Sequence, residues 1–327
     1  MRGATIAAAI ALAAAMTACG SSDNDSGSTA SSTGAGTAAA TTAAAESVKL
    51  GLITKFPADF YLAMEDAAKT WDTENDAAAV VYGTGKDATD DAGQIALIES
   101  MTSQGVKGIA ITPSSPAVQP ALQKAVDAGI KVVLLDNDLP DWDGKSSVVA
   151  TDNRKGGVLA GEWLAENLQS GDTIAVLEGV PGVPALDDRV EGMKEGLGDA
   201  GIEIVGTAPT DCDQDKGVSA SADLLTAHPD VTAIYGACGP PVLGAIQSLK
   251  NAGKKPGEVT LVGFDALPDE ITQIEAGNET ATVAQFPAKM GTEGLATLLK
   301  AVQGESVPAN VDTGTEIVTK ENAASFK

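Results

Sequence analysis

Histidine is nearly absent from this sequence, because the chain of 327 residues contains only one. A single imidazole argues against histidine-rich metal sites and against a catalytic triad with a histidine base. Basic residues are also scarce, with 21 Lys and Arg against 45 Asp and Glu and a formal net charge of −24. Nucleic-acid binding needs clustered positive charge, so no such partner is expected. The shortages point away from a hydrolase and toward a binding protein, and we expect neither metal nor cofactor.

The amino-terminal segment is apolar but short. Arg2 supplies positive charge, and Ala4 to Met16 carry none. This stretch is too short to cross a bilayer as a stable helix, which is typical of an export signal. Met16-Thr17-Ala18-Cys19 is similar to the lipobox of bacterial lipoproteins. This resemblance implies that residues 1–19 hold a lipoprotein signal peptide and that its cleavage leaves Cys19 as the new, lipidated amino terminus. The alternative is an ordinary export signal with an incidental cysteine.

Residues 20–47 contain only Gly, Ser, Thr, Ala, Asp, Asn and Glu. Such a stretch has no large apolar side chain to bury and cannot offset the entropy of ordering. It is predicted to be a flexible tether that reaches about 30 Å on average. The expected location is the outer face of the cell membrane or the periplasm, with the lipid on Cys19 as the only membrane contact.

From Val48 onward, short β-branched runs alternate with segments of helical periodicity. Five runs precede residue 152 and five follow it, and the intervening helices predict βαβ units with parallel sheets. The sequence therefore predicts an α/β fold with two doubly wound parallel-sheet lobes. A single barrel is the structural alternative, but the pattern breaks without a helix between Asp136 and Thr151.

Ligands of open α/β sheets bind beyond the carboxyl ends of the strands, so the residues there are the candidates for a site. Those positions hold aromatic rings, carboxylates, one arginine and one amide. Carboxylates accept hydrogen bonds from hydroxyl groups, Arg and Gln donate them, and aromatic faces cover C–H groups. This set suits a small, neutral, polyhydroxylated ligand.

Several stretches in the right order resemble the ribose-binding branch of the type I periplasmic binding proteins, which serve ABC importers. They include Phe60-Tyr61, Val132–Asp136, Thr151-Asp152-Asn153, Leu224–Val231 and Val262–Asp265. The resemblance implies two lobes joined by three crossing segments near Thr151, Gln285 and Gly314. The lobes are then residues 48–151 plus 286–314 and residues 152–285 plus 315–327.

The resemblance also implies a set of ligand-binding residues. Phe60 and Tyr61 are expected to sandwich the ligand, and Arg189 to donate a charge-assisted pair of hydrogen bonds. Substitution of Arg189 by Ala is then expected to abolish binding and leave the unliganded fold intact. The complete set is Asp59, Phe60, Tyr61, Asp136, Asn137, Arg189, Cys212, Cys238, Asp265 and Gln285.

Three of these positions depart from the ribose pattern. Asn137 stands where that branch usually has Arg, Cys212 where it has an aromatic residue, and Cys238 where it has Asn. A pentose or hexose other than ribose, or a polyol, is therefore expected. In an exported protein Cys212 and Cys238 can form a disulfide, since they follow successive predicted strands and are expected side by side. The alternative is two small residues on the wall of the cleft.

These features predict an extracytoplasmic substrate-binding lipoprotein of an ABC importer. We expect a monomer that binds a monosaccharide or sugar alcohol, docks on permease subunits and is not an enzyme. No nucleophile elbow, dinucleotide fingerprint or histidine-based triad is present. Two alternatives share the fold: a ligand-sensing receptor without a transport role, and the effector domain of a transcriptional regulator.

Overall fold

The computed structural model describes residues 47–326. The predicted export signal, Cys19 and all of the predicted tether except Ser47 lie outside the described residues. Within residues 47–326, none of the helices combines the length and the apolar character that a membrane crossing requires.

The first sheet consists of six parallel strands. In space they follow the order β11-β5-β4-β3-β1-β2. Their bounds are β1 (Val48–Thr54), β2 (Ala78–Thr84), β3 (Gly108–Ile111), β4 (Lys131–Leu135), β5 (Ser147–Ala150) and β11 (Asn310–Asp312).

The second sheet repeats this arrangement in the order β12-β10-β9-β8-β6-β7. Its strands are parallel except β12, which runs antiparallel to β10. Their bounds are β6 (Thr173–Glu178), β7 (Glu203–Pro209), β8 (Ala233–Gly236), β9 (Thr260–Asp265), β10 (Ala281–Ala284) and β12 (Glu316–Thr319). Two separate sheets confirm the predicted fold class and exclude the barrel. The sixth strand of each sheet was not predicted from the sequence, because β11 and β12 are only three and four residues long.

Helices cover both faces of each sheet, and we call each sheet with its helices a lobe. The first lobe holds α1 (Asp59–Glu74), α2 (Asp91–Ser103), α3 (Gln119–Asp127) and α9 (Pro287–Val302). The second lobe holds α4 (Asn153–Asn167), α5 (Pro184–Leu197), α6 (Gln214–Ala227), α7 (Gly239–Asn251) and α8 (Pro268–Ala276).

Strand β4 shows how the sequence produces these layers. Val132 and Leu134 pack in the core beneath α2 and α3, whereas Val133 and Leu135 pack in the core beneath α1 and α9. Successive side chains of a strand point to opposite faces, so a continuous apolar run fills two cores at once.

The chain passes between the lobes at three places, after β5, after β10 and after β11. The crossing segments are hydrogen-bonded to each other. Thr313 N donates to Ala150 O at 3.0 Å, and Thr315 Oγ1 donates to Ala284 O at 2.9 Å.

Helices α4 and α5 approach each other through glycines. A Cβ atom at Gly157 would clash with the carbonyl oxygen of Arg189, and a Cβ atom at Gly192 would clash with the carbonyl oxygen of Arg154. Only the absence of side chains permits this backbone contact. The contact fixes the position from which α5 presents Arg189.

Candidate functional site

A carboxylate stands at the carboxyl end of the same strand in each lobe. Asp136 follows β4, and Asp265 ends β9, which holds the equivalent place in the second sheet. Both residues have a positive φ, 61° for Asp136 and 107° for Asp265. Such strain in a residue other than glycine persists where the surrounding structure imposes it, and it is common at binding sites.

In the first lobe, Asp136 is held by the aromatic end of α1. Tyr61 is buried, and its hydroxyl group donates to Asp136 Oδ2 at 3.1 Å. The rings of Phe56 and Phe60 each pack edge-to-face on Tyr61, with ring centroids 5.1 Å apart. Phe60 is partly buried. The hydrogen bond to Asp136 gives Tyr61 a polar role, which the aromatic sandwich expected from the sequence did not include.

In the second lobe, Arg189 is the central group. Its side chain is 6% exposed and forms an ion pair with Asp265, with Nη1 at 3.0 Å from Oδ1. Nη1 also donates to the carbonyl oxygen of Ala237 at 2.9 Å, and Nε donates to Asn153 Oδ1 at 2.8 Å. The guanidinium carbon lies 3.9 Å from the centroid of the Phe264 ring, a cation–π geometry.

Asp265 collects donors from three elements. Besides Arg189, Gln285 Nε2 donates to Oδ1 at 2.6 Å and Gly239 N donates to Oδ2 at 3.3 Å. Gln285 is 7% exposed, and its Oε1 atom has no hydrogen-bond partner among residues 47–326. A buried acceptor without a partner is costly, so this atom is suited to receive a hydroxyl donor from a ligand.

The charges of the two lobes act on each other. Burial raises the pKa of Asp136, and Asp265 raises it further, whereas Arg189, Lys55 and the Tyr61 hydroxyl oppose the shift. Burial followed by Asp136 also raises the pKa of Tyr61 well above its usual value, with a smaller effect from Asp265. The charged groups of the two clusters therefore lie close enough to influence each other across the boundary between the lobes.

A cavity of about 470 Å³ lies between the lobes next to Asp136, and its lining includes Asp136 and Asn137 but none of the other predicted site residues. Asp136 and Asn137 line it from the first lobe, and Asn153 and Asp188 from the second. Its volume lies in the range of small-molecule sites. Grooves of about 620 and 700 Å³ on the second lobe contain none of the predicted site residues.

Asn137 and Asp59 differ in how they relate to the site. Asn137 is half-buried, and its amide donates to Pro113 O at 3.4 Å, so it lines the cavity without a charged partner. Asp59 is exposed at the first position of α1, and no hydrogen bond joins it to Asp136 and no ion pair joins it to Arg189 among residues 47–326. A carboxylate there interacts favourably with the helix dipole.

Cys212 and Cys238 form a disulfide with a Cα–Cα distance of 5.5 Å. The two cysteines therefore lie side by side as expected, although their strands are not neighbours, because β6 lies between β7 and β8. The turn after β7 crosses the end of β6 instead, where Thr210 N and Oγ1 both donate to Glu178 O. The order of the strands in the sequence does not reveal this crossing, because β6 precedes β7 and β8 along the chain but lies between them in the sheet.

Four residues near the site were not assigned a role from the sequence: Asn153, Phe264, Phe56 and Lys55. Asn153 and Phe264 lie within stretches that carry the family resemblance, which was the available signal. Lys55 follows β1 and is half-buried. Burial lowers its pKa, and the charges of Asp136 and Asp91 oppose this shift.

The buried carboxyl groups of Glu270 and Glu279 lie next to the loop that follows Asp265, and Glu270 holds that loop through a hydrogen bond. Glu270 Oε2 accepts from Leu267 N at 2.9 Å, and Oε1 accepts from Thr282 Oγ1 at 2.8 Å. Glu270 is fully buried, and Glu279 is 2% exposed beside it. Burial raises the pKa of Glu270 to about 8, and burial together with Glu270 raises the pKa of Glu279 well above its usual value.

Comparison with known proteins agrees with this geometry. The model of the periplasmic binding protein domain matches residues 50–306. The chain is 35% identical over 286 residues to the D-ribose/D-allose-binding protein of Pseudomonas aeruginosa, covering 84% of this chain and 89% of that protein.

Two solved structures resemble this chain closely. A periplasmic ribose ABC transporter protein from Conexibacter woesei is 25% identical, with a TM-score of 0.80, and 86% of this chain and 96% of that chain are covered. An ABC transporter solute-binding protein from Burkholderia graminis, in complex with D-arabinose, is 30% identical, with a TM-score of 0.77 and coverage of 86% and 98%. The chain therefore belongs to the type I periplasmic binding proteins of ABC sugar importers, in the ribose-binding branch, a family of solute-binding proteins that work outside the cytoplasm.

Proposed function

We propose that this chain binds a neutral monosaccharide or sugar alcohol between its lobes and delivers it to the permease subunits of an ABC importer. One observation carries the proposal. The Tyr61–Asp136 pair of the first lobe and the Arg189–Asp265–Gln285 group of the second are each held together by hydrogen bonds, and the charges of Arg189 and Asp265 act on Asp136 across the boundary between the lobes. A ligand there meets acceptors and donors from both sides.

The ligand set suits hydroxyl groups and not a charged substrate. Asp136 and the free Oε1 atom of Gln285 accept hydrogen bonds from hydroxyls, while Arg189 donates to ligand oxygens. Arg189 and Asp265 compensate each other's charge, so a neutral ligand leaves neither charge without a partner. The Phe56, Phe60 and Tyr61 rings supply apolar faces for the C–H side of a sugar ring.

Binding proceeds by closure of the lobes about the three crossing segments, with the division at residues 151/152, 285/286 and 314/315. A ligand that contacts both lobes binds the closed form more tightly than the open form and shifts the equilibrium toward it. No covalent bond forms or breaks. The closed form then docks on the permease as a monomer held at the membrane by lipidated Cys19.

The test is a thermal-shift and calorimetric screen of the mature protein that starts after Cys19. Pentoses, hexoses, polyols and amino acids are compared at equal concentration. A specific ligand at a thousandfold its Kd adds about 4 kcal/mol to the free energy of unfolding. A shift with an amino acid and none with any carbohydrate or polyol would reject the substrate class.

The location of the site is tested with a matched pair of variants. Asp136→Gly removes the carboxylate at a backbone position where glycine is free of strain, so a lost shift reports the lost contact. Asp141→Gly changes an exposed aspartate of the same loop. The ligand-induced shift should disappear in the first variant and persist in the second, whereas equal shifts would place the site elsewhere.

A further inference from the structure

The Cys212–Cys238 disulfide joins two turns that strand pairing does not hold together. Cys212 follows β7 and Cys238 follows β8, and β6 lies between these strands in the sheet. The turn after β7 is hydrogen-bonded to the end of β6 through Thr210. Among residues 47–326, no hydrogen bond joins this turn to the turn after β8, so the disulfide is the direct link between them.

Cys238 lies between two contacts to the binding group of the second lobe. Ala237 O accepts from Arg189 Nη1 at 2.9 Å, and Gly239 N donates to Asp265 Oδ2 at 3.3 Å. Both contacts use backbone atoms of the turn, so their geometry depends on where the backbone at Cys238 lies. A bond that fixes Cys238 therefore also fixes one partner of each member of the Arg189–Asp265 ion pair.

The start of α7 lacks an ordinary helix cap. Cys238 is the N-cap residue, and within the described part of the chain its side chain accepts no hydrogen bond from the first turn. The helix then begins with Gly239-Pro240-Pro241, in which only the glycine has an N–H group, and that group donates to Asp265. Helices commonly secure their first turn through a capping side chain. Here the disulfide takes the place of that cap.

The turn that holds Cys212 has an unfavourable backbone conformation. Asp211 and Cys212 both have positive φ, 53° and 55°. Such a conformation is costly for residues other than glycine and persists where surrounding contacts impose it. When the disulfide is broken the turn loses one of these contacts, so we expect Cys212 to move and to leave Cys238 without its restraint.

We propose that the Cys212–Cys238 disulfide is a positioning element of the binding site, which holds the backbone of residues 237–239 where Arg189 and Asp265 require it. The inference rests on the proposed sugar-binding function and concerns the support of that same site. The effect passes through the backbone and needs no contact between sulfur and ligand. Loss of one hydrogen bond to a charged group corresponds to roughly 10- to 100-fold in affinity.

Reduction of the native protein tests the proposal, because it removes the bond and keeps both cysteine side chains. The mature protein that starts after Cys19 is treated with dithiothreitol, and a thiol titration counts the thiols before and after. Calorimetry measures the Kd for D-ribose, D-arabinose, D-galactose, D-fucose, xylitol and myo-inositol. A compound that binds the oxidised protein should bind the reduced protein roughly 10- to 100-fold more weakly, and reoxidation should restore the Kd.

Two variants complete the test. Cys212→Ser breaks the bond without a reductant and should weaken binding as much as reduction does. Leu225→Ala is the matched control for a general loss of stability, since Leu225 is 8% exposed in the core of the second lobe and lies near the end of α6, far along the helix from Cys212. This variant should unfold at a lower denaturant concentration and keep the native Kd.

The outcomes distinguish this role from the proposed function. If a sugar or polyol binds the oxidised and reduced proteins with equal affinity, the positioning role is refuted and the sugar-binding function stands. An equal loss of affinity in Leu225→Ala would refute it too, because affinity would then follow general stability. The role is also refuted if denaturant unfolding shows that the reduced protein and Cys212→Ser are unfolded. If none of the six compounds binds the oxidised protein, both proposals fail.

Discussion

Replacement of Arg189 by methionine tests how the second lobe holds its binding group. The methionine side chain retains apolar packing on Phe264 but removes the charge and all the hydrogen bonds. Asp265 then remains largely buried, with Gln285 and Gly239 as its donors and no counter-charge. Removal of one partner from a buried ion pair costs about 3–5 kcal/mol. We expect the free energy of unfolding to fall by about 3 kcal/mol, the lower end, because two donors remain.

The sequence alone led us to expect that Arg189→Ala abolishes ligand binding without affecting the unliganded fold. The structure leads us to expect a loss of stability as well. A side chain 6% exposed with three protein partners contributes to the fold as well as to the ligand. Ligand binding should weaken by at least about 100-fold, since two charge-assisted hydrogen bonds are worth about 3 kcal/mol or more.

Arg154→Met provides the matched control. Arg154 is half-exposed and pairs with Glu195 at 2.9 Å on the surface. Exposed pairs contribute about 0–1 kcal/mol, so this variant should unfold and bind ligand almost as the native protein does. Denaturant unfolding and calorimetry on both variants make the comparison. If Arg189→Met costs no more stability than Arg154→Met, the reasoning about the buried pair is refuted.

Two further predictions concern the support of the site. The pKa values of Glu270 and Glu279 are both raised, so each group retains in the folded protein a proton that the unfolded chain releases above about pH 4.5, and stability falls by up to about 1.4 kcal/mol per pH unit for each group from about pH 5 toward pH 8. Glu279→Gln should reduce this slope in urea unfolding at pH 5, 6 and 7.5, because the contribution of Glu279 is removed and that of Glu270 remains. Exposed Glu258→Gln should leave the slope unchanged, and equal slopes in the native protein and Glu279→Gln would contradict the assignment. Gly157→Ala should lower the free energy of unfolding by about 1–3 kcal/mol and weaken ligand binding, because the added methyl group pushes α5 away at Arg189; unchanged affinity in calorimetry would refute this coupling.

Much of the fold follows from local patterns. The run Val132-Val133-Leu134-Leu135 is apolar at every position, which predicts a strand buried on both faces, and the structure places its alternate residues in two cores. Polar edge strands such as β11 carry no such pattern. Their pairing depends on where the chain returns after α9, and that is decided by contacts distant in sequence.

The candidate site divides in the same way. Positions at the carboxyl ends of strands identify Asp136 and Asp265 without any structure, because parallel strands bring their ends to one edge. The partners of these residues cannot be found by that rule. Asn153, at the start of α4, accepts a hydrogen bond from Arg189, and the ring of Phe264 in β9 packs against the guanidinium group. Both contacts join elements that are distant in sequence.

The sequence by itself determined that this chain forms two α/β lobes with carboxylate, guanidinium and amide groups near their strand ends, because hydrophobic periodicity and residue chemistry are local properties. Only the tertiary structure decided that the disulfide crosses β6, that Arg189 is neutralised by Asp265 and that Gln285 retains an open acceptor. These features depend on spatial strand order and on which buried polar groups find partners. Such outcomes are set by packing over the whole chain and not by any one segment.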